Sequence, residues 1–247
     1  MRVLLFDIDG TLIRAARGRG YRREVTRVVE SIFGTAGRMS EVDMAGKTDL
    51  AIISEALAPE GVPLEAVREK LHEWESGFRE LVERLHREAP LFTACPGVGE
   101  LLGRLEEDRR FVLSLLTGNM ERTAAAKLAT VGLERHFRVR GAYGGDHHDR
   151  RELPAIAARR IIEHTGRALG PSDFVIIGDT PRDVECAKHF GMHCVAVATG
   201  PFTAGQLAEH GPDAVLEDLC DAEAVLEAIG GSAGPGAGSQ YEPQSGI

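Results

Sequence analysis

Three times along the chain a short apolar run stops abruptly at a polar, glycine-containing turn. Arg2 to Phe6 runs into Asp7-Ile8-Asp9-Gly10-Thr11, Phe111 to Leu116 into Thr117-Gly118-Asn119, and Phe174 to Ile177 into Gly178-Asp179-Thr180. Helical periodicity follows the second and third, over Arg122 to Val131 and Asp183 to Phe190. Runs this short and continuously apolar read as buried strands, and their alternation with helices predicts an α/β fold, a Rossmann-like parallel sheet flanked by helices. A fourth strand is expected from Cys194 to Val197. In open parallel sheets the loops at the carboxyl ends of the strands converge on one side. Asp7, Asp9, Thr117, Asp179 and Asp183 all fall at such ends and are expected to meet there.

Between residues 14 and 92 the strand-like runs give way to helical spacing, seen in Val25, Val28, Val29, Ile32 and Phe33 and again in Val67, Leu71, Trp74, Phe78, Leu81 and Leu85. This predicts an inserted all-helical cap domain. The expected organisation is an α/β core of residues 1–13 and 93–230, a helical cap of residues 14–92, and a tail of residues 231–247 whose Gly, Ser and Pro content predicts disorder. Cys95-Pro96-Gly97 marks the exit from the cap, and a further amphipathic helix is expected at Val98 to Leu105. A chain of 247 residues is long enough to bury both lobes.

The formal charge of −9 offers no broad positive field, which argues against a nucleic-acid partner. No apolar run approaches the ~20 residues that span a bilayer, and Asp7 interrupts the apolar start too early for a secretory segment. A cytoplasmic protein without membrane partners is therefore expected. Cys95, Cys186, Cys194 and Cys220 lack metal-binding spacing and read as small buried hydrophobes in a reducing compartment. The basic cluster of Arg14, Arg17, Arg19, Arg22 and Arg23 reads as a solvated face, and Asp146, His147, His148 and Asp149, crowded on one loop, read as surface polar residues.

Taken in order, Asp7-x-Asp9-Gly10-Thr11, Thr117 after an apolar strand, and Gly178-Asp179-Thr180-x-x-Asp183 resemble the haloacid dehalogenase-like superfamily of phosphohydrolases. The resemblance spans about residues 1–230 and places the helical insertion where many members carry a cap. Cleaving a phosphate ester requires a cation to screen the phosphoryl oxygens while a nucleophile is held in line. The resemblance implies Asp7 as the nucleophile, forming an acyl phosphate, and Asp9 as the general acid and base. It further implies that Gly10 and Thr11 shape a loop whose N–H groups face phosphate. Thr117, the N–H of Gly118, and Asn119 would then bind phosphoryl oxygens. A cation near the phosphate is expected from Arg150 or Arg151, with Arg150 favoured by its place before Glu152-Leu153. The implied cofactor is Mg²⁺, held by Asp7, the backbone carbonyl of Asp9, and Asp179, with Asp183 supporting through water or a neighbouring ligand.

Within the cap, Gly46-Lys47-Thr48-Asp49 resembles the Gly-x-Thr-Asp turn of the phosphoglycolate phosphatase and phosphoglucomutase-like branch. Two readings stand open. Lys47 contacts an anionic group of the substrate, or the turn is solvated and Thr48 caps a helix from Leu50 to Leu57. The function expected is a Mg²⁺-dependent phosphatase acting on the phosphate monoester of a small metabolite through an aspartyl-phosphate. The alternatives are a sugar phosphomutase of the beta-phosphoglucomutase type and a catalytically inactive binding or regulatory relative.

Overall fold

A computed structural model describes residues 1–16 and 20–230. Arg17, Arg19 and the expected tail lie outside the described residues. Along the chain run β1 (Arg2–Phe6), β2 (Ile13–Ala15), α1 (Tyr21–Phe33), α2 (Asp49–Leu57), α3 (Leu64–Glu69), α4 (Leu71–Glu88) and β3 (Phe92–Ala94). Then follow α5 (Val98–Glu107), β4 (Phe111–Leu115), α6 (Glu121–Ala129), α7 (Leu153–Thr165), β5 (Phe174–Gly178) and α8 (Pro181–Phe190). The last elements are β6 (His193–Val197), α9 (Ala204–Glu209), β7 (Ala214–Leu216) and α10 (Ala222–Gly230).

The four expected strands lie in one parallel sheet of order β4-β1-β5-β6-β7, with β1 at Leu4 opposite Leu113 on one side and Val175 on the other. Alternate residues of each strand serve opposite faces, as the two-residue period requires. Leu4, Phe6, Val175 and Ile177 pack towards α5, α6 and α10, whereas Val3, Leu5, Phe174 and Ile176 pack towards α7, α8 and α9. Both faces are thus covered, which explains why the strands are continuously apolar rather than alternating. Phe6 is fully buried, and its truncation to Ala is expected to cost about 3–5 kcal/mol.

Helices α1 to α4 assemble a separate apolar cluster around Val29, Ile53, Trp74 and Phe78. The Trp74 and Phe78 rings stack with centroids 4.8 Å apart. Helix α2 starts at Asp49, where the Thr48 hydroxyl accepts the N–H of Ala51 at 3.1 Å. The capping reading of Thr48 describes the local backbone; the same hydroxyl also donates to the His148 carbonyl at 2.9 Å, tying the turn to the sheet half.

Three strands go beyond those expected: β7 at the edge of the parallel sheet, and the pair β2 and β3. The strands β2 and β3 pair antiparallel, Ile13 with Ala94 and Ala15 with Phe92, and so form a two-stranded ribbon at the root of the helical insertion. The borders expected from sequence, at residues 13/14 and 92/93, fall inside this ribbon. Strands of three residues are too short to show a period, and their pairing spans a long insertion, so neither local nor patterned signal marks them. No helix among the described residues is long and apolar enough to cross a membrane. The four cysteines are free, three of them buried.

Candidate active site

At the carboxyl end of β1 the chain turns at Asp7, whose N–H donates to the Ile177 carbonyl of β5 at 2.9 Å. That bond fixes the first acidic residue beside the loop that carries Asp179. Gly10 adopts a left-handed backbone with φ of +93°, and a Cβ there would stand 2.1 Å from Asp179 Oδ2. A Cβ on Gly200, in the loop after β6, would stand 1.7 Å from the same oxygen. Two glycines therefore let two backbone segments close directly on one carboxylate. Thr11, in the loop whose backbone N–H groups are expected to face phosphate, donates its side-chain hydroxyl to Asp179 Oδ1 at 3.1 Å.

Asp7, Asp179 and Asp183 each offer a carboxylate oxygen, and these oxygens lie within 4.8 Å of one another. All three residues are buried. Burial pushes the Asp7 carboxyl up to about 6, with Arg150 pulling the other way and the Asp183 and Asp9 charges adding to the rise. Asp179 is raised well above the carboxylate range, chiefly by burial and then by the charges of Asp7 and Asp183. Arg150 stands among them, with Nη2 at 3.0 Å from Asp7 Oδ1 and 2.5 Å from Asp183 Oδ1. Its neighbour Arg151 turns outward and grips Asp149, which also caps the short turn Arg150–Glu152. The structure thus separates two arginines that the sequence left adjacent. Asp183 is otherwise engaged in capping α8, accepting the Thr180 N–H at 3.0 Å and its hydroxyl at 2.7 Å.

Asp179 Oδ2 is buried and meets no hydrogen-bond donor among the described residues. A buried, donorless carboxylate oxygen among like charges is unfavourable by several kcal/mol unless a cation lies beside it, on the order of the cost of an unpaired buried charge. Hard oxygen donors in this number suit a small divalent ion such as Mg²⁺. The donor set fits such an ion.

Asp9, about half exposed, faces the cavity beside this cluster. Its Oδ2 accepts Asn119 Nδ2 at 2.8 Å and Lys127 Nζ at 2.7 Å. Asn119 also donates to the Thr117 hydroxyl at 2.9 Å and accepts from Lys127 at 2.6 Å. Thr117, Asn119 and Asp9 are thereby joined in one network, with Lys127 as its cationic end. Sequence reasoning missed Lys127. The available signal was a lone lysine on the face of α6 that Thr123, Ala124 and Leu128 bury, since a buried ammonium requires an anionic partner.

The helical half roofs the cavity. Gly118 meets the backbone of Lys47 so closely that a Cβ would stand 2.0 Å from the Lys47 carbonyl. The Asp49 N–H donates to the Gly118 carbonyl at 2.7 Å, and Asp49 Oδ2 accepts the Met120 N–H at 3.1 Å. Arg182 Nη1 donates to the Ala45 carbonyl at 2.7 Å. The ammonium of Lys47 pairs with Glu55 on the outer side of the turn. Between the halves lies a cavity of about 230 Å³, lined by Asp7, Asp9, Asn119, Lys127 and Arg150 below and by Tyr21, Asp49, Trp74 and Phe78 above.

Comparison with known proteins identifies the family. A family model described as HAD-hydrolase-like matches residues 151–222. The phosphoglycolate phosphatase of Pseudomonas syringae pv. tomato is 30% identical over 219 residues, covering 88% of this chain and 77% of that protein. Phosphoglycolate phosphatase 1 of Pseudomonas aeruginosa is 27% identical over 225 residues, covering 89% and 78%. The crystal structure of a hydrolase from Pseudomonas syringae superposes with a TM-score of 0.64 at 19% identity, covering 93% of this chain and 99% of that one. A strand-end acidic cluster on a parallel sheet, met by relatives aligned over most of the chain, leads to one assignment: the protein belongs to the haloacid dehalogenase-like hydrolases and is a phosphatase of that family.

Proposed function

We propose that the protein hydrolyses the phosphate monoester of a small metabolite through an aspartyl-phosphate intermediate, with Mg²⁺ as cofactor. The observation that carries this reading is the convergence of Asp7, Asp179 and Asp183 beside Arg150 on the floor of the cavity between the two halves. Asp7 and Asp179, with the carbonyl of Asp9, would hold Mg²⁺, and Asp183 would support it while anchoring Arg150. When bound, the ion supplies charge neutralisation to an anionic nucleophile and an anionic phosphoryl group.

The chain's own groups divide the work. Asp7 attacks phosphorus as the ester P–O bond breaks, and Asp9 delivers a proton to the departing alcohol oxygen. In the second half Asp9 takes a proton from water as the water attacks the acyl phosphate, which returns Asp7 to its carboxylate. Thr117, the Gly118 N–H and Asn119 hold phosphoryl oxygens, Gly10 and Thr11 fix the loop around Asp179, and Arg150 offsets charge on Asp7 as the phosphate arrives. Lys127 positions the Asp9 carboxylate. Residues 14–92 serve as the cap, with Lys47 and its neighbours in the turn that faces the leaving group, and closure excludes water before attack. The named substrate of the two relatives, phosphoglycolate, supports a small phosphorylated metabolite as the substrate class.

The test is p-nitrophenyl phosphate hydrolysis with Mg²⁺, with EDTA, and in Asp7→Asn. Loss of at least about a thousandfold in kcat in the variant is expected. Wild-type turnover by Asp7→Asn would end the nucleophile assignment, and conversion of glucose 1-phosphate to glucose 6-phosphate would replace hydrolysis by a phosphomutase reaction.

A further inference from the structure

The floor of the cavity accounts for the phosphate; its roof carries polar groups that the reaction above does not use. The Tyr21 hydroxyl is buried and has no hydrogen-bond partner among the described residues, although the residue lines the cavity. Asp49 is buried as well, and it accepts at Oδ2 from the Met120 N–H and from Trp74 Nε1 at 3.3 Å. Beside these polar groups the stacked Trp74 and Phe78 rings form an apolar wall.

The charges decide what such a roof accepts. Each cation lining the cavity is already matched: Arg150 by Asp7 and Asp183, Lys127 by Asp9, and Lys47 by Glu55. Asp49 then stands at the cap side as a carboxylate with no ion-pair partner of its own among the described residues. A leaving group bearing a second carboxylate would be brought against Asp9 and the buried Asp49 without a free cation to meet it. A hydroxylated alcohol meets the opposite situation, since its O–H groups donate to Asp49 and accept from the Tyr21 hydroxyl, while its C–H face lies on the ring wall.

Resting on the phosphatase reading above, we infer that the leaving group is an uncharged, hydroxylated alcohol held by Tyr21 and Asp49, and that carboxylated leaving groups such as glycolate are disfavoured. Tyr21 and Asp49 are then the specificity-determining residues of the roof, and the orphaned hydroxyl gains its partner only in the substrate complex.

The experiment compares kcat/KM for glycerol 3-phosphate, propyl phosphate and 2-phosphoglycolate in the Mg²⁺-loaded full chain. Glycerol 3-phosphate is expected to exceed 2-phosphoglycolate by about tenfold or more, and propyl phosphate by several-fold. Tyr21→Phe, which keeps the ring in the cap, should shrink the preference for glycerol 3-phosphate over propyl phosphate. Asp49→Asn, which keeps an acceptor for Met120 and Trp74, should raise 2-phosphoglycolate relative to glycerol 3-phosphate by about fivefold or more. A preference for 2-phosphoglycolate, or ratios unmoved in Tyr21→Phe, overturns the inference while leaving the phosphatase reading intact. Failure of all three esters and of p-nitrophenyl phosphate overturns both.

Discussion

The two halves of the cavity are built on different principles. The floor is made by backbone: strands β1, β4 and β5 end side by side, and their turns carry Asp7, Thr117 and Asp179 with glycines where two segments must nearly touch. The roof is made by side chains standing on helices, with Tyr21 on α1, Asp49 on α2 and Trp74 and Phe78 on α4. Backbone placement leaves almost no room for variation, whereas helix faces admit many side chains of similar volume. The same chemistry can thus be retained beneath a roof that changes with the substrate.

This contrast is most easily broken at Gly10. Ala there needs a left-handed backbone and sets a methyl group against Asp179, so a loss of about a hundredfold or more in kcat and about 2–4 kcal/mol of stability is expected. Steady-state kinetics together with urea unfolding would measure both, and an active, stable variant would mean that the floor tolerates more than its geometry suggests. Next in size is Lys127→Met at the seam between the halves, for which kcat should fall about 10–100-fold with KM changed little. An effect on KM alone would make Lys127 a roof residue instead.

Gly118→Ala probes the contact between halves. Its methyl group would press on the Lys47 carbonyl, so about 1–3 kcal/mol of destabilisation and a several-fold rise in KM are expected from a cap held slightly open. Comparable kinetics and thermal melts in the two proteins would show that the seam gives way without consequence. Smallest is the effect of Asp49→Asn on stability. Burial holds the Asp49 carboxyl at about 6, above its ordinary 3.8, against the pull of Lys127. Because the folded value is the higher one, the contribution of Asp49 to stability is complete below about pH 4 and is lost as pH rises through about 6. The variant should therefore gain about 1–2 kcal/mol on the wild type between pH 4 and pH 7.5, read as a few degrees in Tm. An unchanged Tm difference at the two pH values would mean that Asp49 is not a strained carboxylate. A buried charge that weakens the fold at neutral pH is the kind of feature that function, rather than stability, retains.

Legibility in the sequence followed the same division. Asp7, Asp9, Thr117, Asp179 and Asp183 could be read because each follows a buried strand by a fixed number of residues, and parallel pairing brings such ends together. Lys127 was lost in the periodicity of α6, where it reads as one more helix former. Tyr21 carries no local mark, and Asp49 was legible only as the end of the Gly46-Lys47-Thr48-Asp49 turn, because their place over the floor depends on how α1, α2 and α4 pack. The ribbon of β2 and β3 escaped for a related reason: its two strands meet only after the insertion between them has folded.

By itself the sequence determined the parallel sheet, the helical insertion and the order of the strand-end motifs, since hydrophobic period and turn chemistry are local properties of the chain. Only the tertiary structure decided that Arg150 rather than Arg151 faces Asp7, that Lys47 is matched by Glu55, and that a tyrosine hydroxyl and an aspartate are buried over the site. Those outcomes turn on which charges come within a few ångströms of one another away from water, and distances of that kind exist only once distant segments have packed.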